Sequence, residues 1–442
     1  MIESLLVANR GEIARRIMRT ANRLGVRTIA VYSEADAGLP FVAEASESVL
    51  LGPANPAQSY RNVEAIMRAA KATGAQAVHP GYGFLAENAD FARTVEASGL
   101  TWVGPGADAI AAMGDKIKAR NMMAAAGVPV APGTTDPSAD AEAALAAAAE
   151  IGYPVMVKAA AGGGGMGMAV ANDGAQLRTE YEKVRGFAER MFGDGAVLIE
   201  RFFPRVRHVE VQILGLADGR VVALGERECS VQRRNQKLAE ESPSPAVTPE
   251  LRARLLAAAV RAGEAVGYRN AGTVECLLDP STGDFFFLEM NTRLQVEHPV
   301  TELVFGLDLV EAQLRVAAGL PVEVPTESRG HAIELRVNAE DPKRFLPGPG
   351  AITTWVEPTG DGVRVDSGYA AGTTVTPNYD SLMAKLIVYG ADRAEALARA
   401  RTAVAGFEIV GPKQNLPFFA ELLENAEFVS GDYDTGIVGR MR

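Results

Sequence analysis

Along the first 113 residues, short apolar runs at 5–8, 28–32, 77–79 and 102–103 are separated by helical patterns, the first starting at Gly11. Runs of that length between helices predict βαβ units around a parallel sheet. From Gly127-Val128-Pro129 to Glu150 the chain is punctuated by proline and then rich in alanine, which predicts a connector leading into a helix. A strand over 154–158, a glycine loop over 162–167, a helix over 176–190 and a strand over 197–200 follow; the compact stretch from about 130 to 203 is read as a lid. Strands over 208–214 and 221–224 flank Asp218-Gly219, read as a two-residue hairpin turn. After the proline- and charge-rich 321–329, Ile333-Glu334-Leu335-Arg336-Val337-Asn338 alternates again and opens a last unit. The expectation is an α/β chain of three units, 1–113, 114–330 and 331–442, without internal repeats.

Composition narrows the class. With 48% hydrophobic and 22% charged residues, 442 residues can bury a sizeable core. A net charge of -11, with basic residues in nothing longer than pairs such as Arg15-Arg16 and Arg233-Arg234, disfavours nucleic acid as a partner. Cys229 and Cys276 lie too far apart for a disulfide framework and fit a reducing compartment. No apolar stretch approaches the roughly 20 residues of a membrane span, and the N-terminus lacks a signal-peptide pattern, so a cytoplasmic enzyme is expected. The turn Ala8-Asn9-Arg10-Gly11-Glu12 lacks the G-x-G-x-x-G of dinucleotide binders.

Two segments carry the chemistry. Successive glycines, Gly162, Gly163, Gly164 and Gly165, follow a strand ending in Lys158; they free backbone N–H groups to fold over a phosphate chain, and the lysine adds a point charge. Further on, Glu275 and Glu289 lie on paired strands that turn about 279–284, which puts Glu275 opposite Leu288 or Glu289. Like charges that close call for a cation, and magnesium prefers one or two carboxylates completed by phosphates and water; Asn291 lies on the same face as Glu289. If Lys237 and Arg293 face the nucleotide they hold an anion beside the γ-phosphate, with Glu297 placed to take its proton. His79, His208, His298 and His331 are scattered without zinc spacing, and no nucleophile elbow is present.

In their order along the chain, Val7-Ala-Asn-Arg-Gly-Glu-Ile-Ala, His79-Pro-Gly-Tyr-Gly-Phe-Leu-Ala-Glu-Asn88, the glycine loop, 227–237, 289–298 and 334–341 resemble the biotin carboxylases, a branch of the ATP-grasp enzymes. The resemblance implies an ATP-grasp fold with an N-terminal Rossmann-like unit and a C-terminal biotin carboxylase unit. It implies that Lys116, Lys158 and the loop glycines Gly163, Gly164 and Gly165 hold the nucleotide phosphates. Glu200, the backbone through Phe203, His208, Gln232 and Asn235 would form its adenine side. Glu275, Glu289 and Asn291 would bind magnesium or manganese. Lys237, Arg293, Gln295 and the Val296 backbone would bind bicarbonate, Glu297 would be the base, Arg336 would steady the biotin enolate, and Tyr82 and Gly83 would line the biotin site. The implied reaction passes through carboxyphosphate to carboxybiotin, on biotin borne by a carrier protein that serves a carboxyltransferase.

Asn235 replaces the histidine of many bacterial members, Met166 and the Ala169 region replace basic residues, and Asp361 falls where the familiar homodimer has an aromatic contact, while Arg19 and Arg364 match interface positions. Met383-Ala-Lys385-Leu is a near miss to a biotin attachment segment and reads as part of a buried strand. The competing expectations are an ATP-grasp ligase joining an acyl phosphate to an amine, and a nucleotide-binding regulatory subunit.

Overall fold

In the computed structural model, which describes residues 2–160 and 167–442, five parallel strands open the chain. They are β1 (Ser4–Val7), followed by helix α1 (Gly11–Arg23), then β2 (Arg27–Ser33), β3 (Glu47–Gly52), β4 (Ala77–His79) and β5 (Thr101–Trp102), in the order β3-β2-β1-β4-β5. Leu5, Leu6 and Val7 are all buried, as a parallel sheet covered on both faces requires. Helix α2 (Lys116–Ala125) is capped by Asp115, whose carboxylate accepts from the Lys118 N–H at 3.0 Å.

The stretch read as a lid is a small unit with its own core. Helix α3 (Ala141–Ile151), strands β6 (Val155–Ala159) and β7 (Met168–Ala171), helix α4 (Gly174–Phe192) and strand β8 (Val197–Arg201) surround Ala144, Val155, Val157, Leu177, Tyr181 and Ile199. Its sheet runs β7-β6-β8 and is antiparallel. At its lower edge Val128 packs into a different core and Val130 pairs with Phe287, and contact with the small sheet begins where the Arg201 N–H donates to the Pro132 carbonyl at 2.7 Å.

The largest sheet contains β9 (Arg207–Gly215), β10 (Val221–Arg233), β11 (Gln236–Ser242), β12 (Asn270–Asp279), β13 (Asp284–Asn291), β14 (His331–Asn338), β15 (Val363–Ser367) and β16 (Leu382–Gly390), with helix α5 (His298–Phe305) after β13. Its order is β13-β12-β9-β10-β11-β14-β16-β15. The stretch from 331 joins the large sheet: β14 pairs with β11 through Ala239 and Leu335, and one core runs from Leu5 and Ile17 through Leu335 and Leu386 to Phe418. The β9–β10 connection also differs from a two-residue turn. The Leu216 N–H donates to the Arg220 carbonyl, leaving a three-residue loop with Gly219 at φ +91°. A two-residue turn with both central residues left-handed occurs instead at Arg234-Asn235, between β10 and β11.

Strands β9, β10, β11, β14 and β16 bury ionisable side chains as well as apolar ones: Glu210, Arg227, Glu228, Glu240, Glu241, Glu334 and Lys385 are all at most 1% exposed. Charges so far from water persist only when paired or neutralised. Their pairing defines the site.

Candidate active site

Register brings the carboxylates together. Glu275 on β12 stands opposite Glu289 on one side and Glu210 on the other. A bulge after Glu275 leaves Leu288 without a partner and half-exposed, which settles which residue faces Glu275.

Lys237 closes this cluster. Its ammonium donates to Glu210 at 2.5 Å, Glu297 at 2.7 Å and Glu275 at 2.8 Å, so all three protons are engaged. Burial alone would lower its pKa, but Glu210, Glu275 and Glu297 raise it well above the usual lysine range. Glu210 in turn accepts from Arg227 Nε at 2.5 Å. Glu275 also accepts from Asn291 Nδ2 at 2.8 Å and Gln295 Nε2 at 2.9 Å, while His208 Nε2 lies 2.9 Å from its other oxygen. His208, expected beside adenine, thus sits against the carboxylate expected to hold metal.

Glu297 begins α5, where the strand alternation that carried Glu289 and Asn291 has ended. One of its oxygens meets Lys237 and the other accepts from Arg336 Nη2 at 2.9 Å. Arg293 makes its hydrogen bonds away from Glu297: beyond the end of β13 at Asn291 the chain turns, and Arg293 donates to Glu87 at 3.1 Å, to Gln295 at 2.7 Å and to the Asn291 amide oxygen at 3.0 Å, while the Glu297 charge still acts on it. Burial alone would raise the Glu297 pKa; Lys237, Arg336 and Arg227 outweigh it and hold the carboxylate well below the usual range. Glu297 is ionised at neutral pH. Arg336 also donates from Nε to Glu240 at 2.6 Å.

The residues expected at the nucleotide are spread over the small unit and the large sheet. Lys158 on β6 ion-pairs with Glu200 on β8, and Arg120 reaches the same carboxylate at 3.9 Å. Phe203 stacks on Phe286 with centroids 4.8 Å apart. Lys116 is the first residue of α2, and its charge acts on Glu289. Gln232 pairs in register with Lys237. Gly163, Gly164 and Gly165 lie outside the described residues. On the side expected for biotin, Tyr82 donates to Glu12, and Tyr82, Gly83, Phe84 and Glu12 line a cleft of about 180 Å³. The carbonyl of Val296 accepts from the buried Lys385 at 2.9 Å.

Motif reading missed Glu210, Arg227, Glu240, Glu87, Glu12 and Lys385. A signal existed for the first: His208-Val-Glu210-Val-Gln212 alternates with polar residues on one face. For most of the others the decisive contacts are distant along the chain: Glu240 meets Arg336 96 positions away, Lys385 meets Val296 89 positions away and Glu87 meets Arg293 206 positions away.

The sequence matches the family "Biotin carboxylase, N-terminal domain" over residues 1–110, "Carbamoyl-phosphate synthase L chain, ATP binding domain" over 115–324 and "Biotin carboxylase C-terminal domain" over 334–440. It is 50% identical to the biotin carboxylase of Pseudomonas aeruginosa over 435 residues, covering 98% of this chain and 96% of that protein. The chain belongs to the biotin carboxylase family. Among solved biotin carboxylases, that of Campylobacter jejuni, in a β-γ-ATP complex, superposes with a TM-score of 0.96 at 44% identity, covering 100% of this chain and 99% of that one. The biotin carboxylase domain dimer of Hydrogenobacter thermophilus 2-oxoglutarate carboxylase, in complex with MgADP and bicarbonate, gives 0.95 at 43% identity, covering 100% and 98%.

Two features noted in the sequence acquire a structural reading. Asn235 occupies a left-handed position at φ +65°, which asparagine tolerates better than most residues. Lys385, in the near miss to a biotin attachment segment, is fully buried on β16, where no modifying enzyme reaches it.

Proposed function

We propose that this chain is the biotin carboxylase component of a biotin-dependent carboxylase, using ATP and bicarbonate to carboxylate biotin on a separate carrier protein that delivers it to a carboxyltransferase. The observation that carries the reading is the ammonium of Lys237 joined to Glu297, Glu275 and Glu210, with Arg336 on the far oxygen of Glu297. That arrangement keeps an ionised carboxylate among fixed cations, which suits a base acting on a small anion.

In this reading Glu297 takes the proton of bicarbonate, held by Lys237, Arg293, Gln295 and the Val296 backbone. A bicarbonate oxygen then attacks the γ-phosphorus of ATP, ADP leaves, and carboxyphosphate breaks down to CO₂ and phosphate. Phosphate removes the ureido proton, Arg336 steadies the resulting anion beside Tyr82 and Gly83, and the biotin nitrogen captures CO₂. The nucleotide lies between the small unit and the large sheet, gripped by Lys116, Lys158, Gly163, Gly164, Gly165, Glu200, Phe203, His208, Gln232 and Asn235. Closure of the small unit keeps water from the labile intermediate.

Glu275, Glu289 and Asn291 fit a hard divalent cation. Two carboxylates face each other across a strand pair, and burial together with Glu275 raises the Glu289 pKa, as crowded negative charge requires. A magnesium or manganese ion held by these residues would supply positive charge that offsets the charge of the nucleotide phosphates.

The unit boundaries 1–113, 114–330 and 331–442 belong to this reading, as does a homodimer through the depression where Arg19 and Arg364 meet Asp366. Among the described residues no helix is long and apolar enough to cross a membrane. The test is ATP cleavage that requires bicarbonate and rises with free biotin. Cleavage stimulated by amines and indifferent to biotin would favour an acyl-phosphate ligase instead.

A further inference from the structure

Lys385 is a buried cation that the scheme above leaves idle. It has no exposed side-chain area, and its ammonium donates to the Val296 carbonyl at 2.9 Å. Its anions come from two other parts of the chain: Glu12 of α1 at 3.2 Å and Asp366 of β15 at 3.9 Å. Asp366 is already matched by Arg364, which donates to both its oxygens at 3.1 and 2.7 Å, so Glu12 is the nearer acid. The other oxygen of Glu12 accepts from Tyr82 at the cleft. The approach of α1 is close enough that a Cβ at Gly368 would stand 2.6 Å from the Glu12 nitrogen.

The sheet adds a second observation. Lys385 and Arg336 are direct register partners on β16 and β14, so their side chains rise from one face. Arg336 grips the Glu297 carboxylate, and Lys385 grips the carbonyl one residue earlier. Two adjacent cations thus hold both the side chain and the backbone approach of the residue assigned as base.

We propose that Lys385 is a positioning residue: through Val296 it fixes the 295–297 turn that presents Glu297 to bicarbonate, and through Glu12 and Tyr82 it locks that turn in register with the biotin cleft. The inference rests on the function proposed above. It adds that the two substrate sides are coupled through one ammonium contributed by the C-terminal region, whereas a purely structural lysine would support folding alone.

The test uses the full chain, with ATP cleavage followed against bicarbonate and free biotin, and melting temperature measured alongside. Lys385→Met is expected to lower kcat about 100-fold, the scale of an ångström-sized misplacement, and to raise the bicarbonate KM about tenfold, the worth of one hydrogen bond. Its ATP KM is expected to stay within about twofold. Because that variant also strands Glu12, the double variant Glu12→Gln/Lys385→Met is made: it is expected to regain most of the lost melting temperature while keeping the raised bicarbonate KM. A double variant that regains both, or a Lys385→Met enzyme with wild-type bicarbonate KM, reduces Lys385 to a structural counter-ion and overturns the proposal. Absence of bicarbonate-dependent ATP cleavage in the wild-type chain would overturn the functional reading itself, and the positioning role with it.

Discussion

Glu240 and Glu241 are neighbours on β11 and project from opposite faces of the same sheet, yet their carboxyls behave in opposite ways. Glu241 accepts from His331 at 2.6 Å, from Arg393 at 2.7 and 3.0 Å, and from Tyr433 at 2.5 Å. Burial alone would raise its pKa; His331 and Arg393 outweigh that and bring it down to about 2. Among the described residues, Glu240 accepts from Arg336 through one oxygen, and its other oxygen meets no donor. Burial, only partly countered by Arg336 and reinforced by Glu297, raises it to about 7. Both residues are at most 1% exposed, so depth does not separate them. What differs is the balance of charge: one face is a saturated clamp that ties β14, the helix after β16 and the C-terminal residues together through Glu241, the other carries more carboxylate than its cations neutralise. A face that must receive ATP, a divalent cation and bicarbonate cannot be satisfied in advance.

That contrast can be broken at either end. Glu297→Gln or Lys237→Gln, on the unsaturated face, is expected to reduce bicarbonate-dependent turnover by about 1000-fold or more while nucleotide binding stays measurable, because each removes a group acting at the reacting atoms. Steady-state rates with a nucleotide titration check this, and unchanged turnover would remove that residue from the mechanism. On the saturated face, Glu241→Gln is expected to cost about 3 kcal/mol of stability, since it strands the partly buried guanidinium of Arg393 together with His331 and Tyr433. Urea unfolding measures that loss, with kcat of the folded enzyme within about threefold of wild type.

Smaller effects sharpen the comparison through pH. Glu241, depressed from 4.5 to about 2, contributes stability that is fully present above pH 4.5 and lost as pH falls toward 2. Glu240, raised from 4.5 to about 7, has the opposite sign: between these values the unfolded chain ionises while the folded one stays neutral, so stability declines as pH rises from 4.5 to 7. Glu240→Gln is expected to flatten that decline and lower kcat about tenfold by loosening Arg336; denaturation midpoints at several pH values, set beside wild type, test the first part. The smallest change is expected for Glu334→Gln. Burial pushes its carboxyl well above the usual range and among the described residues neither oxygen meets a donor, so the neutral amide should alter stability by less than about 1 kcal/mol. A loss of several kcal/mol in thermal unfolding would show that Glu334 is charged in the folded protein.

The elements themselves were legible, because periodicity is local. The helix expected from Gly11 is Gly11–Arg23, and the strands expected at 28–32 and 154–158 are Arg27–Ser33 and Val155–Ala159. The alternation from residue 333 was equally clear, but it carries no information about a partner, and β14 turned out to continue the sheet begun by β9 rather than found another. Glu275 and Glu289 were recognisable as neighbours from one hairpin, while the choice between Glu289 and Leu288 depended on a bulge that alternation cannot foresee.

By itself, then, the amino-acid order determined the strands, helices and turns, the carboxylate pair on one hairpin and, through motifs in sequence, the family. Only the tertiary structure decided that Lys237 joins three glutamates, that Arg336 reaches the second oxygen of Glu297, and that Lys385 holds the backbone beside it. The reason is physical: side-chain direction follows from two dihedral angles per residue, whereas the pairing of buried charges depends on which strands become neighbours, a choice made by the whole core at once.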